Sequence, residues 1–250
     1  MSHSLLVLGG TTEASALCRA LAERQDPAIV SLAGRVANPK PLPLPTRVGG
    51  FGGVAGLRDY IRNEGISHVI DATHPFANQM SRNAIAACAE TNTPLCALTR
   101  APWQAQDGDI WHHVPDISGA VAALQGEAKR VFLAVGRMHL DDFAPNPQHR
   151  YVLRLVDAPD ALPFPKAQAI IARGPFGFDE DCALLRDHRI DLIVSKNSGG
   201  TGARAKIDAA RHLGLPIVMI DRPTLPPRTE THSVQGVLDW LDHSGVNRGV

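Results

Sequence analysis

Short apolar runs rich in Val, Ile and Leu alternate along this chain with longer segments of helical period, and that alternation narrows the possible folds more than any other feature. The first runs fall near 4–8, 28–32, 67–71 and 94–99, with helices predicted between them near 12–24, 54–64 and 78–91. Consecutive parallel strands need a long crossover, usually a helix, and that crossover is right-handed. The grammar restarts after a polar stretch containing Asp107-Gly108. A helix is predicted near 118–124, and strands near 131–135, 151–155, 168–172, 191–195 and 216–220. Further helices are predicted near 179–188, 203–213 and 233–243. The expected architecture is α/β, with two domains of parallel sheet flanked by helices. Their expected limits are 1–116 and 117–250, with the active site in the cleft between them. No repeat is visible at the level of residues.

Composition then excludes several functions. Lys and Arg number 25, as do Asp and Glu, so no global field favours nucleic acid. The cysteines Cys18, Cys88, Cys96 and Cys182 are isolated, without a CxxC pair, which speaks against a disulfide framework or a structural zinc. His112-His113, and His139 near Asp141-Asp142, lack the spacing of metal ligands, so no metal is expected. The chain shows no signal peptide and no apolar run of bilayer length, so a cytoplasmic protein is the expectation.

The first glycine-rich turn is Gly9-Gly10-Thr11-Thr12-Glu13, leading from a strand into a helix. Glycine admits close approach of a phosphate, and the helix start offers free N–H groups. Either threonine can cap the helix or bond a phosphate oxygen. The full GxGxxG fingerprint is missing, so the turn alone also suits a plain capped helix. The second strand ends Ser31-Leu32-Ala33-Gly34-Arg35, with no acid to read a ribose hydroxyl. Arg35 therefore points to NADPH rather than NADH. Residues 35–52 form a connection too long for a simple turn, closing on Gly52-Gly53. After the third strand come Thr73, His74, Pro75 and Phe76, where the ribose and nicotinamide of a dinucleotide are expected. A structural histidine remains the alternative for His74.

The second half carries its own turn, Lys196-Asn197-Ser198-Gly199-Gly200, which opens a helix with Arg204 and Lys206 near its start. Its order is not that of a Walker loop. Arg137 and Arg173 follow two other strands, so basic loops gather at strand ends where a carboxylate-rich ligand would dock. No GxSxG elbow or Cys/His nucleophile pair is apparent, and no catalytic side chain is assigned.

LLVLGGTTEA, the loop Gly50-Phe51-Gly52-Gly53, DATHPFA, VGR, ARGPF, SKNSGG and LGLPIVMIDRP occur in order between about residue 5 and about residue 240. Together they resemble the precorrin-6A reductase family. The resemblance implies two Rossmann-like domains and NADPH-dependent reduction of precorrin-6A to precorrin-6B in cobalamin biosynthesis. The expected cofactor site, read from the turns and strand ends above, is Gly9, Gly10, Thr11, Thr12, Glu13, Arg35, Gly52, Gly53, Thr73, His74, Pro75 and Phe76. The polyanionic tetrapyrrole then falls to Arg137, Arg173, Lys196, Asn197, Ser198 and Arg204, and neighbouring pathway enzymes are candidate partners. Four alternatives stay open: an NADPH reductase for another large conjugated anion, a reductase for the cobalt-bearing substrate, a nucleotide-sugar or phosphate transferase, and a non-catalytic nucleotide sensor.

Overall fold

Strand β1 (Ser4–Leu8) is apolar along its whole length after the first residue, the pattern of a strand covered on both faces. Its side chains alternate as a pleat requires. Leu5 and Val7 pack on Leu17 and Leu21 of helix α1 (Thr12–Glu23) and on Val237 of helix α7 (Val234–Ser244). Leu6 and Leu8 turn to the other face, against Leu57 and Ile61 of α2 (Gly53–Asn63) and Ala84 and Ala87 of α3 (Asn78–Thr91). The computed structural model describes residues 4–34 and 40–244.

The remaining strands of this first sheet are β2 (Ala28–Leu32), β3 (Thr46–Val48), β4 (Ile66–Asp71), β5 (Leu95–Leu98) and β12 (Thr229–Thr231). They pair in parallel in the order β12-β5-β4-β1-β2-β3. From the other edge this is the 3-2-1-4-5-6 order of a dinucleotide-binding sheet, in which strand order reverses beside β1.

The second sheet holds β6 (Trp111–Val114), β7 (Arg130–Ala134), β8 (Arg150–Leu155), β9 (Ala167–Ile171), β10 (Leu192–Lys196) and β11 (Ile217–Ile220). It too is parallel, in the order β6-β11-β10-β7-β8-β9. Phe132, Val152 and Ile193 pack on Cys182 and Leu185 of α5 (Phe178–Asp187) and on Ile207 and Ala210 of α6 (Ala205–Leu213). Helix α4 (Ile117–Ala123) follows β6, with Asp116 accepting from the Gly119 amide as its cap.

Both expected sheets are present, but the limits of the domains differ from 1–116 and 117–250. The chain leaves the first unit after Ala101 and re-enters it at Thr224, so the second unit is Pro102–Pro223. The C-terminal segment joins the first unit because β12 pairs with β5, Thr229 opposite Cys96, and Val237 fills its core. Strands β3, β6 and β12 were not anticipated. Each is three or four residues long and mostly exposed, so none shows an apolar run.

Candidate functional site

The turn after β1 is set by two glycines with different tasks. A Cβ on Gly9 would lie 3.0 Å from Val30 Cγ2 and 3.2 Å from Leu32 Cδ2, so the side chains of neighbouring β2 would have to give way to admit one. Gly10 has open space around it but a φ of +121°, a conformation that side-chain-bearing residues rarely adopt. Thr11 then caps α1. Its hydroxyl oxygen accepts from the Ala14 amide at 3.0 Å and its proton goes to the Ala72 carbonyl at 2.9 Å, tying this turn to the end of β4. The Ser15 amide bonds Thr11 O, which leaves the amides of Thr12 and Glu13 at the open helix end. Neutral glycine, a capped helix and free amides suit a pyrophosphate. The Glu13 carboxylate takes no part in that, because it pairs with Arg100 Nε at 3.1 Å and accepts from Thr12 Oγ1 at 3.0 Å.

On the far side of β2, Gly52 and Gly53 lie at φ +81° and +86° at the start of α2, with no side-chain cap. The loop before them is braced by Arg47, a residue that sequence reasoning passed over. Its guanidinium donates to Ser31 Oγ at 2.7 Å and to the carbonyls of Gly49 and Gly50 at 3.0 and 3.1 Å. It also lies 3.9 Å above the Phe51 ring. Arg35 lies outside the described residues.

The loop after β4 is ordered by Asp71, which is 3% exposed. One carboxylate oxygen accepts from the Thr73 hydroxyl at 2.6 Å and from its amide at 3.2 Å. The other accepts from Ser81 Oγ and from Arg228, each at 2.6 Å. The Thr73 hydroxyl is thus committed to holding its own loop. His74 Nδ1 accepts from the Phe76 amide at 3.2 Å across Pro75, which leaves Nε2 to carry the proton of a neutral ring. Thr73, His74, Pro75 and Phe76 are half-buried at the carboxyl end of the strand beside β1. Arg228 stands 157 residues from Asp71, beyond the reach of local pattern.

In the second unit the basic candidates have unequal freedom. Arg137, in a short 3₁₀ turn after β7, is 58% exposed and 3.8 Å from a fully exposed Asp160. Arg173 after β9 is 3.9 Å from Asp157, a loose pair. Lys196 is half-buried at the end of β10. Asn197, expected to bind the ligand, is tied to the protein itself. It is 5% exposed, its Oδ1 accepts from the Trp103 amide at 2.8 Å, and its Nδ2 donates to the Trp103 carbonyl at 3.0 Å. Both ends of the amide thus help to fix the turn. Ser198 keeps only a 3.4 Å contact from Oγ to the Lys196 carbonyl. Trp103 Nε1 donates to Gly200 O at 2.8 Å, and Arg222 donates to the carbonyls of Asn197 and Ser198, so the turn is clamped from two sides.

Arg204 faces Asp208 at 3.3 Å one helical turn on, which commits it to the helix surface. Lys206 is buried, not a charge displayed to a ligand. Its Nζ donates to Ala203 O at 2.7 Å and lies 5.0 Å from the centre of the Trp103 ring. Burial pushes its pKa down to about 7; Arg154 adds to the fall and Asp181 opposes it. Arg154 and Asp181 themselves form a buried ion pair, with Arg154 3.5 Å above Phe176. The thiols offer no nucleophile, since burial raises Cys18 and Cys96 to about 11 and Cys88 to about 12. No group of His, Cys, Asp and Glu able to hold a metal occurs among the described residues.

Residues 4–242 match the model of the family described as Precorrin-6x reductase CbiJ/CobK. The chain belongs to that family. It is 59% identical to a precorrin-6A reductase from Rhodobacter capsulatus over 98% of this chain and 99% of that one. A precorrin-6A reductase from Rhodococcus erythropolis is 45% identical, covering 95% and 96%. A cobalt-precorrin-6A reductase from Priestia megaterium is 32% identical, covering 77% and 78%. The solved structure of CobK precorrin-6A reductase superposes with a TM-score of 0.93 at 59% identity, over 99% of this chain and 100% of that one. The family match therefore spans both sheets and every loop described above.

Proposed function

We propose that this chain is an oxidoreductase that reduces a carbon–carbon double bond of precorrin-6A, yielding precorrin-6B in cobalamin biosynthesis, with NADPH as reductant, in the cytoplasm. The observation that carries this reading is the end-to-end match, at 59% identity, to a precorrin-6A reductase. The metal-free substrate is favoured over the cobalt-bearing one by the same comparison, since the cobalt-precorrin relative is 32% identical over 77% of the chain. No described helix is long and apolar enough to cross a membrane.

NADPH, when bound, would supply a hydride for the conjugated ring. The chain's part is to hold and orient the two molecules, and alignment at near-contact distance can account for much of such a rate. Gly9, Gly10 and the amides of Thr12 and Glu13 hold the pyrophosphate. Gly52 and Gly53 flank the adenosine end, and Thr73 to Phe76 flank the nicotinamide end. Arg35, which follows the second strand in the sequence, reads the 2′-phosphate, and Arg47 braces the loop beside that strand through Ser31. Arg137, Arg173, Lys196 and Ser198 hold carboxylates of the tetrapyrrole, whereas Asn197 and Arg204 shape the turn and the helix that carry them.

NADPH and NADH titrations of the wild-type chain and of Arg35→Ala test the cofactor. Loss of Arg35 should weaken NADPH by about 1.5–3 kcal/mol, as for a hydrogen bond to a charged group, with NADH nearly unchanged. Equal loss for both removes Arg35 from the 2′-phosphate. Turnover of metal-free but not cobalt-loaded substrate is the expected outcome of the matching activity assay.

A further inference from the structure

A cavity of about 510 Å³ opens in the second unit at the amino ends of its strands. Arg130 from the start of β7, Arg150 from the start of β8 and Lys166 from just before β9 line it. Asp187, His188 and Arg189 from the end of α5 complete that wall. Four permanent cations therefore share one cavity lined by a single carboxylate, in a chain whose total charge is balanced at 25 basic and 25 acidic residues. None of the four is ion-paired with a carboxylate among the described residues.

Two features make this arrangement costly for the fold alone. Arg130 and Arg150 are register partners on adjacent parallel strands, so like charges stand side by side. Arg189 sits at φ +50°, in the left-handed region where glycine is relaxed and a long side chain is strained. Gln25, after α1, is the other long side chain held in that region.

The first unit provides an internal control, because β1, β2 and β3 occupy the places of β7, β8 and β9. Those strands begin at Ser4, Ala28 and Thr46, and none of the three is charged. The helix that enters β4 ends at Glu64, followed by Gly65 at φ +61°, where the second unit has Arg189. The first unit thus starts these three strands without a cation, although Arg24 and Arg62 stand at the ends of α1 and α2. The dipole of α5 favours a cation at its end, but it does not account for three more from separate strand starts.

We propose that this cavity is a second anion site, for a small molecule carrying several adjacent carboxylate or phosphate groups. Its volume falls within the roughly 300–1,000 Å³ of small-molecule sites. It is not the site of reduction. Arg137, Arg173 and Lys196 lie at the opposite, carboxyl edge of the same sheet, and five-residue strands separate the two edges by roughly 16 Å. A ligand here leaves the reaction centre free, so the site suits an effector or a polyanion held apart from turnover.

Calorimetric titration of the full chain with inorganic triphosphate, and separately with citrate, at physiological salt tests the proposal. Saturable binding of one equivalent is expected, and the tighter probe identifies phosphate or carboxylate as the preferred group. Arg150→Glu/Lys166→Glu reverses two exposed charges and should weaken that probe at least tenfold, with NADPH affinity unchanged within twofold. Arg189→Gly should weaken the probe severalfold while raising the Tm, because it relieves the left-handed arginine. Failure of the wild type to saturate, which would mean an adventitious ion only, overturns the proposal. So does a double variant that binds both probes as the wild type does.

Discussion

The two units share one strand order and differ in the connection that leaves the first central strand of each. In the first, β1 runs through Gly9-Gly10 into α1, twelve residues long and capped by Thr11. In the second, β7 runs through Val135-Gly136 into two 3₁₀ turns, Arg137–His139 and Asp141–Phe143. A helix of three turns presents aligned amides and a dipole to a phosphate, and a 3₁₀ turn of three residues does not. The second unit has an arginine at that place instead. Its glycine turn lies after β10, and that turn is held by Trp103 and Arg222. The same topology therefore supports two kinds of anion recognition, backbone amides in one unit and side-chain charge in the other.

Each unit also buries one Arg–Asp pair, and breaking these gives the largest expected effects. Asp71 joins Thr73, Ser81 and Arg228, so it fastens the late segment before β12 to the loop after β4. Asp71→Ala takes one of two carboxylate partners from Arg228, which keeps Glu230 at 3.0 Å, and should destabilise the protein by about 1.5–3 kcal/mol, as for a hydrogen bond to a charged group, read as a lower urea midpoint. The Arg154–Asp181 pair lies within the second unit, between β8 and α5. Asp181→Ala should therefore spare NADPH affinity where Asp71→Ala does not. Equal loss of cofactor binding in both variants would erase the distinction between the units.

Lys206 offers an effect of intermediate size that belongs to the second unit. An ordinary lysine keeps its proton to about 10.5, whereas burial moves Lys206 to about 7. Between those values the unfolded chain binds more protons than the folded one, so stability rises with pH across that window and the penalty is complete below it. Lys206→Met should flatten that rise, most visibly when urea unfolding at about pH 6.5 is compared with about pH 9.5. An unchanged slope would mean that the ammonium is not desolvated.

Arg204→Ala is expected to do least. Its pairing with Asp208 is a partly exposed helix pair worth about 0.3–0.5 kcal/mol. Activity should fall less than in Lys196→Ala. An equal fall would return Arg204 to the substrate.

Much of this was legible in the sequence because the strands covered on both faces are long apolar runs, as Leu5 to Leu8 and Leu192 to Val194 illustrate. Glycine turns were legible for the same local reason. What escaped notice is non-local. Nothing around Thr229–Thr231 announces that it pairs with Cys96–Leu98, and nothing around Asn197 announces that Trp103 uses its amide. Lys206 looked like a displayed charge because its neighbours Arg204 and Lys196 are polar, and only packing against Trp103 shows that it is buried. Side chains that brace the loops, such as Arg47 and Arg222, show no pattern of their own.

The claim that the cofactor belongs to the first unit is tested most directly by NADPH titration of two variants. Gly10→Val places a β-branched side chain at φ +121°, in the open space of the turn before α1. Lys196→Ala removes a cation at the end of β10 in the second unit. The account predicts that Gly10→Val folds with a loss of stability from the strained backbone, read from its Tm, and loses NADPH binding well below that Tm. It predicts that Lys196→Ala keeps NADPH affinity within about twofold, a change near 0.4 kcal/mol, while kcat/KM falls roughly ten- to a hundredfold. Normal NADPH binding by Gly10→Val together with tenfold weaker binding by Lys196→Ala would contradict it.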